Sequence, residues 1–418
     1  MSSSKKFPRP EVLILSLIAK PNAPTELGVS YNWAEAYIHH GYKVTFITHL
    51  SQKVHFEDYA ASDHFELHFL GTGSSLPANP SSLWQAARLL WTSIGWQISV
   101  RKWVRHADRK FHLVHHPSIS SVRLPSPLFI LEGFNFWGPL GGGHLGNLSR
   151  LTLKNFAYES IRNFSILVFK KIARIAIGPR TRMNLTTLAT NSPTLQLLEG
   201  IGFAKVIFEL SDGIAPPRMS RKSADKLMTA SDPVKIIWAG RIVESKRPRV
   251  AILALSNLLS RNLNAELHFF GNGQQEPLVG LAKDLGVQKQ IIFHGAVSPN
   301  YLMDCLPEYD VSLFTSGRDS SSPFLLESLY AGLRCIAIRT EVIKSIFPED
   351  IVSGPSEENF DENTLAEFIS MEIEKWIVSE KESRVSVVTK GREFAERQTW
   401  VEKAKRILEI REGQGQEL

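Results

Sequence analysis

Gly240 and Arg241 close the apolar run "VKIIWAG", and Lys246 follows on the same short stretch, so two cations leave what reads as a strand end on one loop. A planar guanidinium fork beside a mobile ammonium is a means of clamping an anion. Two solvated surface cations look the same, and on spacing alone that plainer reading is favoured. Further on, "SGRDSSSPFLLESLYAG" sets Asp319 in a polar loop and Glu327 inside a helix that begins near Pro323. Ser322, Pro323 and Phe324 occupy the helix start, where free N–H groups and the dipole favour a phosphate. Glu327, one turn further in, is placed to accept hydrogen bonds from paired hydroxyls. The alternative makes Glu327 a solvated helix residue and Asp319 a loop cap. Its neighbours Leu325, Leu326 and Leu329 imply a helix buried over much of its surface, which weighs against a solvated Glu327.

Other stretches carry weaker signals. His112, His115 and His116 lie close together in "FHLVHHPS", but no Cys or acidic ligand is near, so strand-end histidines are favoured over a metal site. "WGPLGGGH", Trp137 to His144, reads equally as a segment lining an acceptor or as a glycine-rich turn. No G-x-x-x-x-G-K-[ST] loop is present, and the first strand–helix loop holds only Gly28 with no G-x-G-x-x-G, which argues against P-loop kinases and dinucleotide oxidoreductases. "GTGSS" at Gly71 and "GNG" at Gly271 read as turns.

The elements that must position these residues follow a βα rhythm. "EVLILSLIA", "KPNAPTELG", "VSYNWAEAYIHHG" and "YKVTFIT" read as strand, loop, helix and strand, a βαβ unit with a parallel sheet. Further strands are expected at Phe65–Leu70, Leu113–His115 and Leu128–Leu131. From Ser211 to Pro233 periodicity is lost among Pro, Ser and charge, which marks a linker. The rhythm then restarts with "VKIIWAG", "AELHFFG", "IIFHG" and "VSLFT", helices lying between and after them. The closing "VVTKGREFAERQTWVEKAKRILEI" is a helix pattern with no strand of its own to cover.

A chain of 418 residues exceeds what one core uses, since single cores stop growing near ~250–300 residues, so two domains are expected. Hydrophobic residues at 43% and charged residues at 22% exclude disorder, collagen and disulfide scaffolds. Only Cys305 and Cys335 occur, which leaves no disulfide framework or Cys-based zinc site and suits a reducing compartment. Residues 1–190 hold 21 basic and 10 acidic side chains, net +11, and the remainder holds 27 and 32, net −5. One part is thus expected to meet an anionic surface or substrate. "VLILSLIA", preceded by Lys5, Lys6 and Arg9, imitates a signal peptide, but the run is short and no cleavage site follows, so a buried first strand is preferred.

The ordered set "AGRIVESK", "AELHFFGNG", "IIFHGAV", "YDVSLFTS", "DSSSPFLLESLYAG" and "FAERQTWVEKAKRI" resembles the C-terminal half of family 4 retaining glycosyltransferases. "HHGYKVTFIT", "VHHPSISSVRLPSP", "WGPLGGGH" and "TNSPTLQLLEGIG" resemble the bacterial sugar-polymer members, so the resemblance spans nearly the whole chain. It implies an α/β GT-B fold, two Rossmann-like doubly wound domains with an interdomain cleft. Residues 1–213 would form the acceptor domain and 214–397 the nucleotide-sugar donor domain, with a helix about 398–418 packing back onto the first. On this resemblance Arg241 and Lys246 bind the donor diphosphate, Glu327 holds the ribose hydroxyls and Asp319 contacts the transferred sugar. Gly240, Ser322, Pro323 and Phe324 complete the donor site, Gly28 lets backbone approach the donor phosphate, and His115 or His116 stands beside the donor sugar. The family usually has Glu where this chain has Asp319, and glycines where it has Ser320 and Ser322. Leu27 and Val29 flank Gly28, where a second glycine is often seen.

The activity implied is transfer of a hexose-type sugar, with retention and without a metal or cofactor, from a nucleotide sugar to a glycan or lipid-linked glycan in cell-surface polysaccharide biosynthesis, lipopolysaccharide or exopolysaccharide. The alternatives are a degenerate homologue acting as an assembly partner, which Asp319 favours, and an epimerase or phosphorylase of the same fold. The expected location is cytoplasmic, at the inner face of the membrane. Trp84, Trp91, Trp96 and Trp103 with Arg88, Arg101, Lys102 and Arg105, and the stretch Asn155–Arg174, suit helices lying on an anionic leaflet. Tryptophans packed against the sheet are the alternative. No nucleic-acid module is recognisable.

Overall fold

The computed structural model describes the chain except residues 1–9, 24–25, 58–61, 74–75, 77–82, 120, 125, 132, 134, 144–152, 216–232, 318–321, 358–359 and 417–418. Most of the expected linker, together with Asp319 and His144, lies outside the described residues. The elements run β1 (Glu11–Ser16), α1 (Glu26–His39), β2 (Lys43–His49), β3 (Phe65–Leu70), α2 (Leu83–Ala107), β4 (Leu113–Ser118), β5 (Asn135–Leu140), α3 (Leu153–Ala176), α4 (Pro179–Asn184), β6 (Thr186–Ala189), α5 (Ser192–Ile201) and β7 (Lys205–Phe208). They continue with β8 (Val234–Ala239), α6 (Pro248–Ser260), β9 (Ala265–Phe270), α7 (Glu276–Asp284), β10 (Ile291–Gly295), α8 (Pro299–Cys305), β11 (Val311–Phe314), α9 (Pro323–Ala331), β12 (Arg334–Ala337), α10 (Glu341–Ile346), β13 (Val352–Ser353), α11 (Glu362–Val378), α12 (Lys381–Glu396) and α13 (Trp400–Gln416). Two compact units result: residues up to Asp212 together with Trp400 onward, and Gly213–Thr399.

The first sheet has the order β3-β2-β1-β4-β5-β6-β7 and the second β10-β9-β8-β11-β12-β13. Every pairing in both is parallel. Parallel strands covered on both faces are continuous apolar runs, and alternate side chains serve opposite faces. Val12, Ile14, Val44 and Phe46 pack beneath Val29, Trp33 and Tyr37 of α1 and Trp400 and Ala404 of α13. Leu13, Leu15, Ile47 and Val114 pack beneath Trp96 and Val100 of α2, Ile166 and Ala173 of α3, and Leu197 and Leu198 of α5. Local chemistry sets the helix ends: Asn191 Oδ1 accepts from the Thr194 amide at 3.1 Å, and Gly202 closes α5 at φ 101°.

Two sequence expectations are corrected. Leu128–Leu131 is no strand, because Ser126 and Pro127 start a 3-10 turn over Pro127–Ile130 in which Ser126 Oγ accepts from the Leu128 amide. The strand that fills that place is β5, drawn from "NFWGPL", whose Gly138 and Pro139 disguise a fully buried segment. Of the four tryptophans on α2, Trp96 is buried and so withdrawn from any surface, and Trp103 is half-buried with its ring 4.6 Å from His68.

A buried charge cluster fastens α13 to the first sheet. Lys403, fully buried, donates to Glu209 Oε1 at 2.8 Å and to the Leu210 carbonyl, while Arg406 forks onto the same carboxylate at 2.8 and 3.1 Å. The Lys403 ammonium also lies 5.5 Å from the Trp33 ring centroid and 5.7 Å from that of Trp400. Burial alone would raise the Glu209 pKa, but Lys403 and Arg406 override it and hold the carboxyl below its ordinary value. Glu209→Ala leaves the Lys403 charge buried and uncompensated, and urea unfolding is expected to show a loss of about 3–5 kcal/mol. Adding Lys403→Met recovers part of that loss; a double variant no more stable than the single one contradicts this account. Because the folded carboxyl titrates below the unfolded value of 4.5, the stability it contributes is present above that pH and lost as pH falls through the folded value.

Candidate active site

In the second sheet the strand order reverses between β8 and β11, neighbours whose outgoing crossovers run to opposite sides. Ligands of doubly wound sheets bind outside the carboxyl ends of the strands at such a reversal. The segments that leave the sheet there are Gly240–Arg247 after β8 and the stretch from Thr315 to α9 after β11. These segments contain Gly240, Arg241, Lys246, Ser322 and Pro323, so five of the residues singled out by sequence meet at one edge.

The β8 loop is knitted to its neighbours by main chain. The Gly240 amide donates to the Phe270 carbonyl at 2.9 Å, and the Ile242 amide to the Asn272 carbonyl at 2.7 Å. Gly271 and Gly273 permit this approach: at φ 137° and 149°, a Cβ on either would fall 1.9 Å from the Gly240 carbonyl oxygen or 2.1 Å from that of Ile242. On the other side, the Gly317 amide donates to the Ser245 carbonyl at 3.1 Å, and Thr315 Oγ1 donates to the Lys246 carbonyl at 2.7 Å while accepting from Trp238 Nε1 at 2.9 Å. Arg241 is left exposed, and the half-buried Lys246 holds its ammonium 5.5 Å from the Phe314 ring centroid.

Arg247 was not singled out by sequence, yet it organises this edge. It takes the left-handed conformation at φ 46° as the cap of α6 and donates to Glu357 at 2.8 Å. Its guanidinium lies so close over Gly317 that a Cβ there would meet it at 2.8 Å. Burial raises the Glu357 pKa, with Arg247 pulling the other way. The signal that could have found these groups was the placement of Gly271, Gly273 and Gly317 just past strand ends, each of which reads alone as a turn.

At the start of α9, Ser322 is fully buried in the left-handed region at φ 55° and caps no amide with its side chain. Its Oγ has no hydrogen-bond partner among the described residues. A strained backbone and a buried hydroxyl left unpaired are costs of the kind found at ligand clamps. Pro323 begins the helix, Phe324 is buried, and Glu327 is half-buried one turn along.

The remaining candidates belong to the first unit. Gly28 lies in the first turn of α1, where a Cβ would meet the Ala23 carbonyl oxygen at 2.0 Å, so the loop before α1 is what requires a glycine there. His115 is fully buried and uses both ring nitrogens internally: Nε2 donates to the Gly138 carbonyl at 2.7 Å and Nδ1 accepts from Tyr37 Oη at 3.0 Å. Burial drives its pKa down to about 4, so the ring is neutral. That arrangement corrects the expectation for His115, which is a core histidine with no nitrogen left for a ligand. His116 lies in the core beside Trp96, with Nδ1 2.9 Å from Ser126 Oγ, and burial takes its pKa to about 3.

Residues 220–394 match the family model for glycosyl transferases group 1. Comparison with curated proteins gives no match. Among solved structures, sucrose-phosphate synthase from Thermosynechococcus elongatus is 15% identical with a TM-score of 0.64, over 98% of this chain and 100% of that one. WaaG, a glycosyltransferase involved in lipopolysaccharide biosynthesis, is 14% identical with a TM-score of 0.54, over 96% and 99%. HepE from Anabaena, solved with UDP and glucose, is 14% identical with a TM-score of 0.57, over 96% and 98%. Two parallel sheets with interleaved helices, matched along whole chains, define the GT-B fold.

Gly271→Ala is expected to cost roughly 1–3 kcal/mol in urea unfolding, as the price of forcing the β8 loop off its neighbour. Gly280→Ala serves as the control, since it lies mid-helix in α7 with nothing within 4 Å of its Cβ, and should gain about 0.5–1 kcal/mol. Equal effects at the two positions would refute the close-approach account.

Proposed function

We propose that this protein is a retaining hexosyltransferase that moves a sugar from a nucleoside diphosphate donor to a glycan or lipid-linked glycan of the cell surface, at the cytoplasmic face of the membrane. One observation carries the reading. Two cations on the β8 loop and, at the start of α9, a buried hydroxyl with no partner among the described residues converge on one strand-order reversal. That WaaG acts in lipopolysaccharide biosynthesis and that HepE was solved with UDP and glucose supports the class of acceptor and donor.

In this reading Arg241 and Lys246 neutralise the diphosphate while the α9 amides and Ser322 Oγ bind its oxygens. Glu327 accepts hydrogen bonds from the ribose, and Asp319 contacts the transferred sugar. As the bond between the sugar C1 and the phosphate oxygen breaks, positive charge grows on the sugar and negative charge on the leaving diphosphate. Fixed cations and helix amides stabilise the second without reorganising, and they require no metal for that work. The acceptor oxygen bonds to C1 from the face the phosphate leaves, and its proton passes to the leaving phosphate oxygen.

Arg241→Ala and Lys246→Ala should each lower kcat/KM for the nucleotide sugar by about 100-fold, measured as release of nucleoside diphosphate. Unchanged turnover in both removes the basis of the proposal. Ser322→Ala deletes a hydroxyl that has no hydrogen-bond partner among the described residues, so its stability should stay within about 0.5 kcal/mol of the parent while donor affinity falls. A marked loss of stability with normal donor binding would mean that Ser322 serves the fold.

A further inference from the structure

The outward faces of α2 and α3 take no part in the chemistry above, yet they are apolar. Both helices bury one side in the same layer over the first sheet, Trp96 and Val100 from α2 and Ile166 and Ala173 from α3. On its other side α2 presents Trp84 at 80% exposure, Trp91 at 70% and Ile98 at 51%. At 3.6 residues per turn this seven-residue spacing keeps them on one stripe, and Arg88, Lys102 and Arg105 are exposed along it. The stripe of α3 presents Ile161, Phe164, Leu167, Ile172 and Ile175, each more than half exposed, with Lys171 and Arg174 among them.

The charge on the two helices selects the occupant. α2 contains four Lys or Arg and no Asp or Glu, and α3 contains five against Glu159 alone. A second copy of this chain would set like charges against one another. An anionic bilayer supplies both things the surface lacks, an apolar phase for Trp, Phe and Ile and phosphates for Lys and Arg. Tryptophan beside cationic side chains is also the composition that settles at headgroup depth. On α3 a groove walled by Phe164, Leu167 and Val168 is rimmed by Lys170, Lys171 and Arg174, which places apolar and cationic contacts side by side. No described helix is long and apolar enough to cross a membrane.

We infer that α2 and α3 form a single lipid-docking face by which the first unit seats on an anionic membrane surface. Trp84, Trp91, Phe164 and Ile175 enter the acyl boundary, and Arg88, Lys102, Arg105, Lys171 and Arg174 meet lipid phosphates. The inference deepens the membrane location in the reading above and is independent of its transfer chemistry; vesicle binding is measured without donor or acceptor, so docking and transfer can fail separately.

The test is co-sedimentation of the full chain with vesicles of phosphatidylcholine alone or mixed with phosphatidylglycerol. Binding is expected only to the anionic mixture and should be released near 1 M salt, where the screening length shrinks to ~3 Å. Lys171→Ala with Arg174→Ala should weaken it roughly thirtyfold, and Trp84→Ser with Trp91→Ser by about tenfold or more. Both pairs are exposed, so their thermal midpoints should match the parent. Absence of anionic-vesicle binding at low salt overturns the inference, as does undiminished binding by both variants. Self-association lost in the Trp84→Ser, Trp91→Ser variant without any lipid binding would assign the face to a second copy instead.

Discussion

A parallel sheet that grows outward in both directions from its first strand must send its central crossovers to opposite faces, and the loops that begin those crossovers part at one edge. In the second unit that place lies between β8 and β11. Nothing about Arg241 or Ser322 marks a site until the sheet order brings Gly240–Arg247 beside the segment that enters α9. The first sheet obeys the same rule, reversing between β1 and β4. There Ser118 Oγ donates to the Ile18 carbonyl at 3.2 Å and Ser16 Oγ to Ser30 Oγ at 2.8 Å, so side-chain hydroxyls close the edge. At the β8–β11 edge the contacts with the β8 loop are made by main chain and by Thr315, while the Ser322 hydroxyl finds no partner among the described residues.

Charge is handled in two opposite ways. Inside the first unit, Glu209, Lys403 and Arg406 satisfy one another, a geometry whose worth lies in leaving no partner of the cluster alone. Over the outside of the same unit, α2 and α3 carry an excess of cations set among exposed aromatic and aliphatic groups. The interior cluster joins positions nearly two hundred residues apart, whereas the exterior stripes are products of local helical spacing.

Much of the fold was legible for that reason. β1, β2 and β3, the strands from β8 to β11 and the helices between them announce themselves as apolar runs of the right length separated by helical periodicity, and an ordered set of motifs points to the GT-B fold. The failures have physical causes. β5 was hidden because Gly138 and Pro139 break the pattern of a strand that burial nevertheless stabilises, and Leu128–Leu131 was misread because Ser126 and Pro127 form a turn cap in front of an apolar run. Trp96 and Trp103 have the same spacing as Trp84 and Trp91, and only the sheet beneath α2 distinguishes the inward pair from the outward one.

The candidate site divides along the same line. The residue types and the short-range placements, a Gly-Arg pair after a strand and a serine ahead of a helix-starting proline, are properties of the sequence, because strand ends and helix starts are set within a few residues. That Gly271, Gly273, Gly317 and Arg247 hold those placements together is decided by contacts across strands, where a missing Cβ matters only against a partner far along the chain. The same holds for His115, which the family resemblance set, with His116, as a candidate beside the donor sugar, and which is spent on Gly138 and Tyr37 once β4 lies beneath α1. Local chemistry was written in the chain, while the identity of each group's neighbours, and so its availability, arose only when the sheets assembled.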